Sequence, residues 1–261
     1  MLVENAKVLK NEEISEGNFS LSLYSPKICE EAKPGQIVQV KCSAAQTLRR
    51  PISICDCDKE KGILRLCFEI RGAGTEYMAT LKENDEISLL GPLGIGYETQ
   101  DVASRKILLV GGGIGTYPLL FCARELKANG AKPEALIAFK NKGKIVLQRD
   151  FEEFCEKVHI ATDDGSCGFC GYAHQLLEKL TQNDTYDAIY ICGPLAMLKG
   201  IAKIAESKNI PAFASLEERM GCGVGACLSC VCETKDENGE HHHERVCADG
   251  PVFDAKKLVL E

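Results

Sequence analysis

Four cysteines stand in the C-terminal part of the chain: Cys222, Cys227, Cys230 and Cys247. They read C-x4-C-x2-C with a distant fourth cysteine, in the run GCGVGACLSC…RVC. That is the spacing with which plant-type ferredoxins hold a [2Fe–2S] cluster. Gly223, Val224, Gly225 and Ala226 fill the first gap. A loop wrapping a cluster needs small residues, because backbone N–H groups must approach the sulfurs and glycine permits φ > 0. Four thiols could also hold zinc, but zinc sites usually repeat a short C-x2-C knuckle, and the second knuckle is missing. A [2Fe–2S] cluster would make the chain a carrier of single electrons.

Two further constellations lie upstream. Arg50, Pro51, Ile52 and Ser53 form an R-x-x-S run at the end of a predicted strand. There Arg50 could pair with a flavin pyrophosphate as a charged fork, and Ser53 could donate a hydrogen bond near the isoalloxazine N5 or O4. Pro51 keeps the preceding backbone extended. Arg71-Gly72-Ala73-Gly74-Thr75 leads into a short helix expected over 76–81, and a Gly-Thr pair at a helix start is an anion site. Leu90 to Gly94 reads as a tight turn. Each signal alone is weak, and Arg50 alone reads equally as a surface ion pair. The second constellation, Gly111, Gly112, Gly113 and Gly115, follows the apolar run Lys106–Val110 and opens a helical stretch. Glycines there let backbone approach a pyrophosphate, although Tyr117-Pro118 departs from the strict G-x-G-x-x-G fingerprint and a ligand-free βα turn would use the same residues.

The elements that must position these residues fall into three segments. Residues 1–98 show period-2 runs (19–23, 37–40, 64–68) broken by turns at Lys33-Pro34-Gly35 and Lys61-Gly62, the pattern of a closed antiparallel β-barrel. Residues 99–211 alternate strands (107–110, 135–139, 158–161, 188–192) with helices (119–129, 174–180), which predicts a parallel-sheet α/β domain. Residues 212–261 form a small cysteine-bearing domain. The expected fold class is therefore β-barrel plus α/β.

The chain has 261 residues, 45% hydrophobic and 26% charged, an ordinary globular mixture. Its net charge of −7 argues against a nucleic-acid partner. No apolar run approaches the ~20 residues of a membrane-spanning helix, and no basic-then-apolar leader follows Met1. A cytoplasmic chain is expected, and its fifteen cysteines then read as reduced thiols rather than a disulfide framework. Cys167-Gly168-Phe169-Cys170 looks like a redox C-x-x-C but reads first as loop or packing thiols. His241-His242-His243 reads as an exposed hairpin tip. Cys232 falls outside the cluster spacing.

Taken in order, RRPISI, GTEYM, GPLGIGY, GGGIGTYPL, TDDGS, CGP, SLEERMGCGVGAC and CADGPVF resemble the ferredoxin–NADP reductase superfamily, and within it the electron-transfer subunits of NAD-dependent dihydroorotate dehydrogenases. The resemblance covers nearly the whole chain. It implies FAD contacts at Arg50, Pro51, Ile52, Ser53, Cys67, Phe68, Glu69, Gly74 and Thr75. It also implies that Asp163 and Asp164 meet the adenosine ribose, where carboxylates suit hydroxyls and repel a 2′-phosphate, favouring NAD over NADP. Cys192, Gly193 and Pro194 would lie near the meeting of nicotinamide and flavin.

No nucleophile–base pair or catalytic carboxylate pair emerges, and no site for an organic substrate. The resemblance supplies a partner: an FMN-containing subunit that oxidises dihydroorotate to orotate in pyrimidine synthesis, in a complex expected to be a heterotetramer of two copies each. An equivalent FAD/[2Fe–2S] subunit of another oxidoreductase, such as a sulfhydrogenase or a ferredoxin transhydrogenase, shares the same motifs. A zinc-stabilised nucleotide-binding module would be a different class.

Overall fold

The computed structural model describes residues 1–43 and 46–260. The N-terminal elements are β1 (Leu2–Ser15), β2 (Asn18–Tyr24), α1 (Pro26–Glu31), β3 (Ile37–Lys41), β4 (Arg50–Asp58), β5 (Ile63–Glu69), α2 (Ala73–Thr80) and β6 (Glu86–Leu93). Their strands close into an antiparallel barrel of order β1-β2-β5-β4-β3-β6. Period-2 alternation decides what fills it, because alternate side chains point inward. Each strand contributes an i, i+2 pair to one buried cluster: Ala6/Val8, Leu21/Leu23, Val38/Val40, Ile52/Ile54, Leu64/Leu66 and Ile87/Leu89.

The second unit comprises β7 (Lys106–Gly112), α3 (Tyr117–Ala128), β8 (Lys132–Phe139), α4 (Gln148–Phe154), β9 (Lys157–Thr162), β10 (Phe169–Cys170), α5 (Ala173–Asn183), β11 (Ala188–Cys192) and α6 (Leu195–Ser207). Next come β12 (Ala212–Ser215), the hairpin β13 (Val231–Lys235) and β14 (His241–Arg245), and β15 (Val252–Asp254). The sheet order is β10-β9-β8-β7-β11-β12-β15. Both faces are covered, which is why β7 reads as an unbroken apolar run. Ile107 and Leu109 pack in one cluster with Leu119, Leu120 and Phe151 of α3 and α4. Leu108 and Val110 pack in the other with Leu177, Leu198 and Ile201 of α5 and α6.

The structure departs from expectation at four places. The sheet runs past residue 211: β12 pairs with β11, and β15 returns antiparallel to β12. Cys230, Val246 and Cys247 join the same core as Phe253, so the cysteine segment shares the nucleotide sheet's core. The helix α2 begins at Ala73, placing Thr75 within its first turn rather than before it. Leu90 to Leu93 belong to β6, and the chain turns at Gly94 (φ +82°). Helices α1, α4 and α6 have no counterpart in the expected pattern, α4 being one short element after Leu147 at φ 59°. Among the described residues no helix is long and apolar enough to cross a membrane.

The two units are held together through α3. Phe121 is fully buried, and its ring fills the barrel cluster rather than the sheet's. One turn on, Arg124 donates to Asp56 of β4 at 2.5 Å. Burial pushes the Asp56 carboxyl up, and Arg124 opposes that shift. Tyr97, between the units, donates from its buried hydroxyl to the Ile191 carbonyl at 2.7 Å. Because one helix completes two cores, the Phe121→Ala variant should lose about 3–5 kcal/mol. Urea unfolding should show barrel and sheet melting in one transition in the parent chain and separating in the variant.

Candidate functional site

The cysteine loop is organised by its own backbone. Six N–H groups donate to the four sulfurs: Val224, Ala226 and Cys227 to Cys222 at 3.4, 3.3 and 3.4 Å, Cys222 to Cys227 at 3.4 Å, Gly225 to Cys247 at 3.2 Å, and Cys247 to Cys230 at 3.5 Å. Such donors stabilise thiolate and cluster charge. Ser229 adds a hydroxyl 2.9 Å from the Cys227 sulfur, and this bond, helped by the Cys222 N–H, brings the Cys227 thiol down to about 6. Burial instead pushes Cys247 up to about 11, so a metal must displace its proton. Arg245 braces the loop: its Nε and Nη2 grip the Asp249 carboxylate at 2.8 Å each, and Nη1 donates to the Gly225 carbonyl at 3.1 Å.

Backbone N–H bonds sort the four cysteines into two neighbouring pairs: Cys222 and Cys227 each donate to the other's sulfur, and Cys247 donates to that of Cys230. Two pairs suit a two-iron cluster. Among the described residues, the one trio of Cys, His, Asp or Glu ligand atoms within 4.8 Å is Asp236, Glu240 and His242 on the exposed hairpin. Cys230 and Cys247 are buried, Cys222 is half-buried and Cys227 is exposed between the apolar Val224 and Leu228. Cys232 lies on β13 and takes no part in this network.

The barrel presents a slot beside this loop. Strands β4 and β5 pair from Asp58/Ile63 as far as Ile54/Leu66 and no further among the described residues. Arg50, Pro51, Ile52 and Ser53 continue past that point paired only to β3, and Cys67, Phe68 and Glu69 paired only to β2. Each therefore has a free backbone edge, the kind of donor and acceptor row a flat polar ring can use. Side chains behave differently from backbone here. Cys67 and Phe68 are buried, Phe68 stacks on Phe19 at 5.8 Å, and the Glu69 carboxylate accepts from Arg71 at 2.8 Å. Arg50 lies across Gly74 at the start of α2: a Cβ there would stand 2.7 Å from the Arg50 Nε and 3.1 Å from Gln46 Oε1. Guanidinium and helix N-terminus thus converge on one place, as an anionic pyrophosphate requires. The neighbouring Arg49 is structural, donating to the Gln39 and Ser88 carbonyls.

The third part is the crevice at the C-terminal ends of β7 and β11. Chain order reverses there, β8 and β9 lying on one side and β11 and β12 on the other, and open α/β sheets bind ligands at such a point. Gly111 is the register partner of Cys192. A side chain at Gly115 would overlap the Cys192 carbonyl oxygen and crowd Gly193. Gly112 and Gly113 link β7 to a single 3₁₀ turn leading into α3, with Gly113 at φ +55° facing open space. Burial pushes the Cys192 thiol up to about 12, so it remains protonated. Pro194 caps α6. At the end of β9, Asp164 accepts from the Ser166 N–H and hydroxyl at 2.9 and 2.6 Å, which holds its carboxyl below the usual range. Asp163 carries no such side-chain bond among the described residues and is exposed.

The chain matches the family described as the iron-sulfur cluster binding domain of dihydroorotate dehydrogenase B over residues 217–259. Two relatives are each named dihydroorotate dehydrogenase B (NAD(+)), electron transfer subunit. One, from Bacillus cereus (strain G9842), is 37% identical and aligned over 100% of both chains. The other, from Shouchella clausii (strain KSM-K16), is 38% identical over 97% of this chain and 96% of its own. This chain belongs to that family. It is an electron-transfer subunit of an oxidoreductase of the dihydroorotate dehydrogenase B type. Among solved structures, a chain from the NADH-dependent reduced ferredoxin–NADP oxidoreductase, studied for flavin-based electron bifurcation, aligns with TM-score 0.88 and 27% identity, covering 98% of this chain and 90% of its own. The ferredoxin reductase of carbazole 1,9a-dioxygenase shares the fold, with TM-score 0.68 and 19% identity, covering 80% of this chain and 67% of its own.

Some residues of the site give no sequence signal. Gln39 is fully buried on β3 with both amide atoms unpaired, and Gly223 of the cysteine loop rests on it. Alternation along β3 reads Gln39 as a solvent-facing residue. Ser229 stands between Cys227 and Cys230 in the chain, and that position is its one signal in the sequence. The crevice yields a direct test. Gly115→Ala should force β7 and β11 apart, weakening NADH binding at least tenfold, about 1.4 kcal/mol, by calorimetry, while iron content stays unchanged.

Proposed function

We propose that this chain relays electrons between a partner flavoprotein and NAD, using FAD in the barrel slot and a [2Fe–2S] cluster in the cysteine loop. The partner would be an FMN-containing subunit that oxidises dihydroorotate to orotate, and the complex a cytoplasmic heterotetramer with two copies of each. FAD, when bound, exchanges an electron pair as hydride on one side and single electrons on the other. The observation that carries the reading is the seat of Gly223 on Gln39. The register partner of Gln39 is Pro51. The cysteine loop therefore lies against β3, next to β4, whose first residues line the slot.

Each residue has a definite task on this reading. Cys222, Cys227, Cys230 and Cys247 are the thiolate ligands, with the backbone donors fixing their charge. Arg50 and the first turn of α2 at Gly74 and Thr75 hold the flavin pyrophosphate. The free edges at Pro51, Ile52, Ser53, Cys67, Phe68 and Glu69 orient the ring through the backbone. Gly111, Gly112, Gly113 and Gly115 make room for the NAD pyrophosphate, while Asp163 accepts from the ribose hydroxyls and Asp164 shapes its loop. Cys192, Gly193 and Pro194 bound the nicotinamide end. The exposed edge at Cys227, flanked by Val224 and Leu228, faces the partner.

A second reading, a subunit that serves a ferredoxin-linked oxidoreductase, draws on the 27% identical structural neighbour. Identities of 37% and 38% to the dihydroorotate dehydrogenase subunits favour the first. Copurification separates the two: a flavoprotein that oxidises dihydroorotate should accompany the chain. The relay is tested by Cys227→Ser. NADH oxidation by an artificial dye should persist, and transfer from dihydroorotate to NAD should vanish. Undiminished transfer would refute the path through the cluster. Arg50→Gln is expected to lose flavin on dialysis, read from the visible spectrum, with the loop's iron retained.

A further inference from the structure

The C-x-x-C run at 167–170 has no part in the relay, yet the fold places it beside the loop after β9 that carries Asp163 and Asp164. The short strand β10 pairs Phe169 with Ala161 and Cys170 with Thr162. Thr162 also grips Cys167: its hydroxyl donates to the Cys167 carbonyl at 2.7 Å and accepts from the Cys167 N–H at 3.0 Å. Both cysteines therefore flank a single residue, the last of β9. Gly168, at φ +66°, makes this possible, since any side chain there would overlap the Ile160 carbonyl. The Cys170 sulfur then rests on the turn behind Asp164: a Cβ on Gly165 would stand 2.7 Å from it. That turn is closed by the Asp164–Ser166 bonds and tied to the next loop by the Lys142 N–H, which donates to the Ser166 hydroxyl at 2.7 Å. Cys170 is exposed and Cys167 half-buried.

We propose that Cys167 and Cys170 form a thiol–disulfide modification site whose state sets the affinity of the adjacent nucleotide crevice. The coupling rests on the reading of Asp163 as the ribose contact. The reaction is exchange with a low-molecular-weight disulfide. The exposed Cys170 thiolate attacks one sulfur of that disulfide, forming a mixed disulfide and releasing one thiolate. Cys167 then attacks the Cys170 sulfur and displaces the second thiol. Two protein thiols become one disulfide, the reagent disulfide becomes two thiols, and two electrons and two protons have moved. A bridge between residues three apart, drawn across Gly168, pulls the Cys170 sulfur off Gly165. The turn that presents Asp163 loses its support, and NADH binds less tightly. Bridges of this exposed, short-range kind are the readily reducible ones.

The test uses the full chain carrying its cofactors, equilibrated with oxidised glutathione or with reduced dithiothreitol. In the oxidised buffer, the peptide spanning 167–170 should lose two hydrogen atoms by mass spectrometry. The NADH Kd should rise about fivefold, about 1 kcal/mol, and return on reduction. Cys170→Ser should bind NADH equally in both buffers. A peptide that keeps both thiols in the oxidised buffer overturns the proposal. So does a disulfide that leaves the Kd unchanged while Asp163→Asn raises it. If neither the disulfide nor Asp163→Asn alters the Kd, the ribose contact itself is wrong and the coupling falls with it.

Discussion

Gly223 has no room for a side chain, because the Gln39 carboxamide occupies that space. That contact constrains the molecule more than any other. It seats the cysteine loop on the outside of the barrel, beside the strand that ends in Arg50 and Pro51. A loop carrying the same four cysteines a few ångströms off this seat would still bind iron but would stand apart from the slot. The seat leaves both polar atoms of a fully buried amide without a partner among the described residues. It persists because both neighbours are firmly held: β3 by pairing to β4 and β6, the loop by Arg245 and Asp249.

The same economy governs the other two parts of the site. In the barrel, alternation commits one side of each strand to the interior and leaves the opposite side for packing against the rest of the chain. Where β4 and β5 part, the alternation continues but the ladder does not, so backbone edges are left free. In the sheet, the strand that reverses the winding order opens the crevice, and Gly115 lets the β7 turn close onto Cys192. Phe121 and Arg124, both on α3, then fix crevice and slot relative to each other. Cysteine loop and barrel meet at Gly223 and Gln39, and the β7 turn meets β11 at Gly115 and Cys192, because backbone approaches closely only where side chains are small.

Much of this was legible in the residues. The C-x4-C-x2-C spacing announces the loop, since ligands on one short turn must be local in sequence. The barrel and the alternating strands and helices are visible as periods, because burial on one face or two imposes them. The glycine run before α3 is visible for the same reason. Less legible were the contributions of Gln39 and Ser229, and the different hydrogen bonding of Asp163 and Asp164. These depend on partners far along the chain or on hydrogen bonds within a turn, and neither leaves a periodic trace. The extent of the sheet was also hidden. β15 is three residues long and antiparallel, and a strand that short is defined by its neighbour.

The sequence by itself therefore determined the chemistry: which atoms could bind iron, which backbone could approach phosphate, and which alternation would build barrel and sheet. Those properties are local, set by residue type and by spacing within one element. Only the tertiary structure decided proximity. The seating of the loop on β3, the bond from the Gly225 N–H to the Cys247 sulfur and the burial of Phe121 in the barrel core join residues that lie far apart in the chain. Long-range packing of two cores around α3 brings them together, and no local signal encodes it.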